Sequence, residues 1–405
     1  MGISTLFNII TVLYIFRSVQ LSLAIWREWG DIRVEPLTQR KKYLAEQASF
    51  YIAVPVGVFF HELGHALAVK LYGGEIISFL SSYRFFWGEV VHRGVYTPTE
   101  RWLISLAGTL GSLLFGLGVW LALRHNPVSS LRYFGLRAFR FQIYFSLLYY
   151  PLFSIFLPIG DWRVIYDFSA TPVLSGLTLV VHVLFLLFYW RYDRQGAFEA
   201  PALESEAAQA QFDVLAREAQ QNPQDTRLQL QYIDTLRRGG AQNRAKTQLH
   251  KFLAAHPDSA EAYLELAAVE ADSGSQISKK ASGYAAKALQ NGLADPVQAA
   301  LANRMMAQYQ LEVGQEGEAL QAYAAALEAL TRAESSAYQL RLLATVYRER
   351  GLAYRRMQKY ELAYADISQA VALAEQGGFT ELTAVFQNDL QVLGSHAGHM
   401  SGKSS

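Results

Sequence analysis

Three residues of this 405-residue chain have the types and spacing for metal-assisted hydrolysis: His61, Glu62 and His65, in the run His61-Glu62-Leu63-Gly64-His65. On a helix, positions i and i+4 share a face, so both imidazoles can point at one ion. Glu62 is near enough to reach a water on that ion but is not placed as a ligand. Neutral imidazole suits Zn²⁺, and a catalytic zinc takes three protein ligands. Zinc brings the pKa of water towards about 7, and a neighbouring carboxylate then takes its proton. The flanking residues, Val-Pro-Val-Gly-Val-Phe-Phe before and Ala-Leu-Ala-Val after, do not describe a solvated helix face. The chain has no cysteine, so disulfides and thiolate zinc sites are excluded. Any metal must be held by nitrogen and oxygen.

The third ligand has to come from elsewhere. Asp161 directly follows an apolar run, and Pro158 and Gly160 would let the backbone bend to bring its carboxylate in. The plainer reading of Asp161 is an acid that marks a helix end. Asp167 is a second candidate in a more polar stretch. His182, inside another apolar run, reads as a buried histidine bonded to a neighbouring helix. His92 sits in a polar connection at the solvent or the site mouth.

The elements that must position these residues read as membrane helices. Residues 102–123, 141–160 and 168–190 are apolar runs of 22, 20 and 23 residues, and about 20 suffice to cross a bilayer. Residues 1–26 form a further span, with an interfacial helix as the alternative. Residues 47–71 begin as a span and then carry His61, Glu62 and His65. Ionisable groups at membrane depth are costly and therefore functional hypotheses. Between the spans, 72–101 has two short β-prone stretches, Ile76–Phe79 and Val90–Tyr96, after the helix-stopping Gly73-Gly74. A hairpin there would offer its edge to an extended substrate.

The second half is different in kind. Residues 1–190 carry 15 Lys/Arg and 10 Asp/Glu, whereas 191–405 carry 21 and 25. With no basic tract, the chain is not a nucleic-acid binder held through phosphates. Residues 191–205 read as a linker, 206–395 as helical and 396–405 as a disordered tail. Pro223 and Pro257 lie 34 residues apart, and Pro296 follows 39 later, which fits one repeat with a five-residue insertion near Ser273–Ser278. Gly351, Tyr354, Ala363, Ile367 and Ala370 mark the clearest unit, and Ala319, Tyr323 and Ala326 repeat its end. This pattern over 208–376 resembles tetratricopeptide repeats, whose stacked helix pairs present a groove to a protein or peptide partner. The expected architecture is all-α: a polytopic membrane bundle of about five spans in 1–190, with a short hairpin, then a soluble tetratricopeptide-like α-solenoid. Connections 27–48, 124–140 and 191–194 hold eleven Lys/Arg against four in the alternate set, which puts the repeats in the cytoplasm.

Phe60-His61-Glu62-Leu63-Gly64-His65-Ala66-Leu67-Ala68 resembles the zinc helix of the site-2 protease family of intramembrane metalloproteases. Ala107-Gly108-Thr109-Leu110-Gly111-Ser112 is similar to that family's A-G-P-x-x-N segment, and Gly160-Asp161 stands at the place of its L-D-G aspartate. The resemblance covers roughly 45–190. It implies a zinc endopeptidase acting on membrane-protein or peptide substrates at the lipid bilayer. His61, His65 and Asp161 would be the ligands, Glu62 the general base, and Thr109 and Ser112 substrate contacts. It also implies that the zinc helix ends on the cytoplasmic side, which would place the repeats outside; a re-entrant segment at Pro151 would reconcile this with the charge count. Thr109, Ser112 and Trp162 replace the family's usual Pro, Asn and Gly. The alternative function is therefore an inactive membrane-anchored adaptor that works through its repeats.

Overall fold

The computed structural model describes residues 3–81, 88–156, 160–272, 274 and 276–401, the side chains of 3–7 and 395–401 excepted. The chain divides into two compact units, Met1–Arg244 and Ala245–Ser405.

The first unit starts with α1 (Ile3–Arg27), a short α2 (Trp29–Ile32), α3 (Gln39–Tyr51) and α4 (Ala53–Leu71). Thr38 caps α3 by accepting from the Lys41 amide. α3 and α4 are almost one helix, jointed at Ile52. Pro55 cannot donate to the Tyr51 carbonyl four residues back. Ser18 on α1 fills that gap, donating to Tyr51 O at 2.9 Å. α4 stops at Gly73, whose φ of +73° favours glycine. The hairpin follows: β1 (Glu75–Ser78) pairs antiparallel with β2 (Val91–Arg93), Ile76 opposite His92, with an irregularity between Ile76 and Ser78. Its strands are shorter than the β-prone stretches, and the residues between, 82–87, lie outside the described ones.

α5 (Pro98–Leu123) opens on a complete capping box, Thr97 with Glu100, and has Pro98 in its first turn. Then come α6 (Ser129–Tyr144), a π-helical turn (Phe145–Tyr149), α7 (Tyr150–Phe156), α8 (Asp161–Ile165) and α9 (Pro172–Arg194). Four stretches among the described residues are long and apolar enough to cross a membrane: Asn8–Arg27, Gln39–Leu71, Pro98–Leu123 and Pro172–Arg194. Their outer faces are apolar and bare, with Val173 78 % and Leu184 61 % exposed, which suits lipid and not water. The run 141–160, expected as a fifth plain span, is instead the end of α6, the π turn and α7. Pro151 is the physical reason: it lacks the N–H that an α-helix would aim at Leu147 O. The expected bend at Leu157, Pro158 and Ile159 falls outside the described residues.

Residues 191–205, expected as a linker, are ordered. α9 continues to Arg194, and Phe198, Ala202 and Leu203 are buried. Their polar neighbours hide this in the sequence. The Leu203 amide donates to Leu37 O, and the Ala202 amide to Gly239 O, both at 2.8 Å. α10 (Glu206–Gln221) and α11 (Thr226–Arg238) complete the unit. Lys42 on α3 donates to the carbonyls of Ala200, Gly239 and Gly240 at 2.9, 3.2 and 2.9 Å, which uses its three donors.

The second unit holds α12 (Gln242–Ala255) from Ala245 on, α13 (Ala260–Asp272), α14 (Lys279–Gln290), α15 (Pro296–Glu312), α16 (Glu316–Thr331), α17 (Ala337–Arg356), α18 (Tyr360–Gln376) and α19 (Thr380–Ser401). From α13 onward each helix packs on the next. The periodic small residues face inward: Ala319, Ala326, Ala363 and Ala370 are fully buried. At Gly351 a Cβ would lie 2.6 Å from Ile367 Cγ1, so glycine sets the approach of α17 to α18. Arg304 reaches Glu349 on α17 with both its Nε and a terminal nitrogen of the guanidinium, and Gln308 joins them. The insertion expected near Ser273–Ser278 falls in part on residues 273 and 275, outside the described ones. The tail expected to be disordered is helical as far as Ser401.

Candidate metal centre

α4 carries His61, Glu62 and His65, and it crosses α5 at van der Waals limits. A Cβ on Gly64 would lie 2.1 Å from Ala107 O, and one on Gly111 2.2 Å from Phe60 O. Each helix thus meets the other's backbone through a glycine. This close crossing brings Gly108 onto the imidazoles. A Cβ there would sit 2.3 Å from His65 Nε2 and 2.7 Å from His61 Nε2. The bare α-carbon leaves the space into which both rings point.

Asp161, at the start of α8, closes the group. Its Oδ2 lies 3.0 Å from His61 Nε2 and 3.1 Å from His65 Nε2. The three ligand atoms are within 4.8 Å of one another. A tetrahedron with bonds of about 2 Å has edges near 3.3 Å, so the spacing fits a zinc-sized ion. The donor chemistry points the same way. His65 Nδ1 is 2.8 Å from Ile104 O, and a carbonyl only accepts, so Nδ1 carries the proton. In the neutral ring Nε2 is then a bare lone pair aimed at a carboxylate oxygen. A metal ion between the two, or a proton on Nε2, reconciles these acceptors.

Glu62 is buried beside His61, His65 and Asp161 and outside their cluster. The connection into β2 covers it: a Cβ on Gly88 would meet Glu62 Cγ at 2.8 Å, and the Val90 amide bonds the carboxylate. Thr109 and Ser112 are both buried. Ser112 Oγ is paired with Ser146 Oγ at 2.9 Å. Thr109 Oγ1, one residue from Gly108, has no hydrogen-bond partner among the described residues.

The other sequence candidates are elsewhere. Asp167 accepts from the Ser169 and Ala170 amides, closing its own turn. His182 Nε2 donates to Leu147 O at 2.7 Å, the carbonyl freed by Pro151, while Nδ1 accepts from Tyr166. His92 meets the Tyr96 hydroxyl at 3.3 Å on the exposed hairpin. Sequence reasoning missed Tyr150, whose hydroxyl donates to Asp161 Oδ2 at 2.7 Å. It also missed the role of Gly108 as the floor of the cradle.

No curated protein and no solved structure matches the chain. Residues 42–211, under half of the 405, match the family model described as Peptidase M50B-like. That stretch contains His61, Glu62, His65 and Asp161, and the match supports a membrane protease of the site-2 protease kind.

Proposed function

We propose that the chain is an intramembrane zinc metalloendopeptidase that cuts membrane-protein substrates, with His61, His65 and Asp161 as ligands and Glu62 as general base. The observation that carries this reading is the convergence of those three side chains, drawn from α4 and α8, on one cradle. When bound, zinc supplies Lewis-acid polarisation and a nucleophilic water near neutral pH. The chain's own residues do the rest. Glu62 accepts the proton of the attacking water and returns it to the leaving nitrogen. The Ile104 carbonyl holds His65 in the tautomer that leaves Nε2 free. The closely packed α4 and α5 confine the reacting groups, and water has to arrive by a polar path among the spans.

Substrate has to be extended, because a helical one hides its carbonyls. The connection into β2 runs against Glu62 at Gly88 and Val90, which supports an extended segment laid beside the hairpin edge. Thr109 and Ser112 are kept as the substrate contacts that the resemblance implies, and Ser112 holds their shared turn of α5 to Ser146. We further assign the paired helices of the second unit to a tetratricopeptide-like scaffold on the cytoplasmic side that recruits substrate or a regulator. Metal analysis of the detergent-purified chain tests the centre. The expected result is about one zinc per chain, lost in His61→Ala. Wild-type protein without stoichiometric zinc would leave the adaptor reading in its place.

A further inference from the structure

Tyr150 touches two of the three ligand side chains, yet no motif singles it out. Its hydroxyl donates to Asp161 Oδ2 at 2.7 Å and accepts from the Asp161 backbone amide at 3.1 Å. Its ring meets the His61 ring edge-on, with centroids 5.4 Å apart. One side chain therefore holds Asp161 at both backbone and carboxylate, and packs against the imidazole that the carboxylate faces.

The fold builds this contact deliberately. The π-helical turn Phe145–Tyr149 adds a residue to the helical register just before Tyr150, and such turns redirect the side chains that follow. Tyr149, one position earlier, is 48 % exposed. Gly160 makes room from the other side: its φ is +102°, and a Cβ there would lie 3.2 Å from the Tyr150 hydroxyl and 2.6 Å from Ser154 Oγ. Nothing else among the described residues bonds the Asp161 carboxylate apart from the two imidazoles.

We propose that Tyr150 is a positioning residue of the metal centre, fixing Asp161 so that Oδ2 meets both imidazoles before metal arrives. This rests on the reading of His61, His65 and Asp161 as ligands. A ligating carboxylate without its hydrogen-bond partner must be ordered by the metal itself, and loss of such a partner weakens binding about 10–100-fold.

The test is zinc affinity of the full-length chain in detergent, measured by competition with a chromogenic chelator. Tyr150→Phe keeps the ring and removes only the hydroxyl. The expected result is a drop of about 10–100-fold, with the unfolding midpoint of the metal-free protein unchanged and Tyr149→Phe like wild type. Cleavage by Tyr150→Phe should recover in excess zinc, which a structural lesion would not allow. Wild-type affinity in Tyr150→Phe overturns the proposal while leaving the ligand set intact. Absence of a zinc site in wild type, or its survival in His61→Ala, overturns the ligand set and this proposal with it.

Discussion

Gly108 contributes no side chain, and the two imidazoles converge because of it. Adding one methyl group places a carbon 2.3 Å from His65 Nε2, where a ligand lone pair has to be free. Gly108→Ala should lower zinc affinity by at least about tenfold, read by chelator competition, with the helical content of the chain unchanged. His61, Glu62 and His65 were legible from the sequence because a spacing of four leaves little choice of face on a helix. Asp161 was legible as a charge beside Gly160 at the end of an apolar run. Tyr150 was not: it is one of several aromatic residues in Phe141–Phe156, and only the π turn decides which of them faces Asp161.

At the level of elements, the glycines of α4 and α5 separate into two kinds. Gly64 and Gly111 abut backbone of the opposite helix, whereas a Cβ on Gly118 would meet nothing within 4 Å. Gly64→Ala should destabilise the chain by about 1–3 kcal/mol, because backbone cannot step aside as a flexible side chain can. Gly118→Ala should be neutral or slightly stabilising through better helix propensity. Thermal unfolding of both variants in the same detergent checks the contrast, and equal midpoints would contradict it. Helix type and place were readable from apolar length in α1, α4, α5 and α9. In the run 141–160 the sequence marked Pro151 as a place for a break, but length and hydropathy do not register the π turn at Phe145–Tyr149 that precedes it.

On the scale of the whole molecule, the contrast in charge separates a part rich in apolar, membrane-length helices from a more highly charged helical part, but it does not show how residues 191–205 are held within the first unit. Polar residues in 191–205 look like free chain, whereas Phe198, Ala202 and Leu203 are buried and Lys42 gathers the carbonyls of Ala200, Gly239 and Gly240. Lys42→Met would take this partner from the carbonyls of Ala200 and Gly240, Gly239 O keeping the Ala202 amide, at a cost on the order of 2 kcal/mol. Limited proteolysis near 195–205 should then be faster than in wild type, with α3 and α4 still protected. The proposed hydrolysis turns on Glu62 acting on water beside a metal held by other residues. Its most direct test is Glu62→Gln, assayed for zinc and for cleavage of a model transmembrane substrate in the same preparation. The expected result is about one zinc per chain and no cleavage; cleavage at the wild-type rate would contradict the assignment.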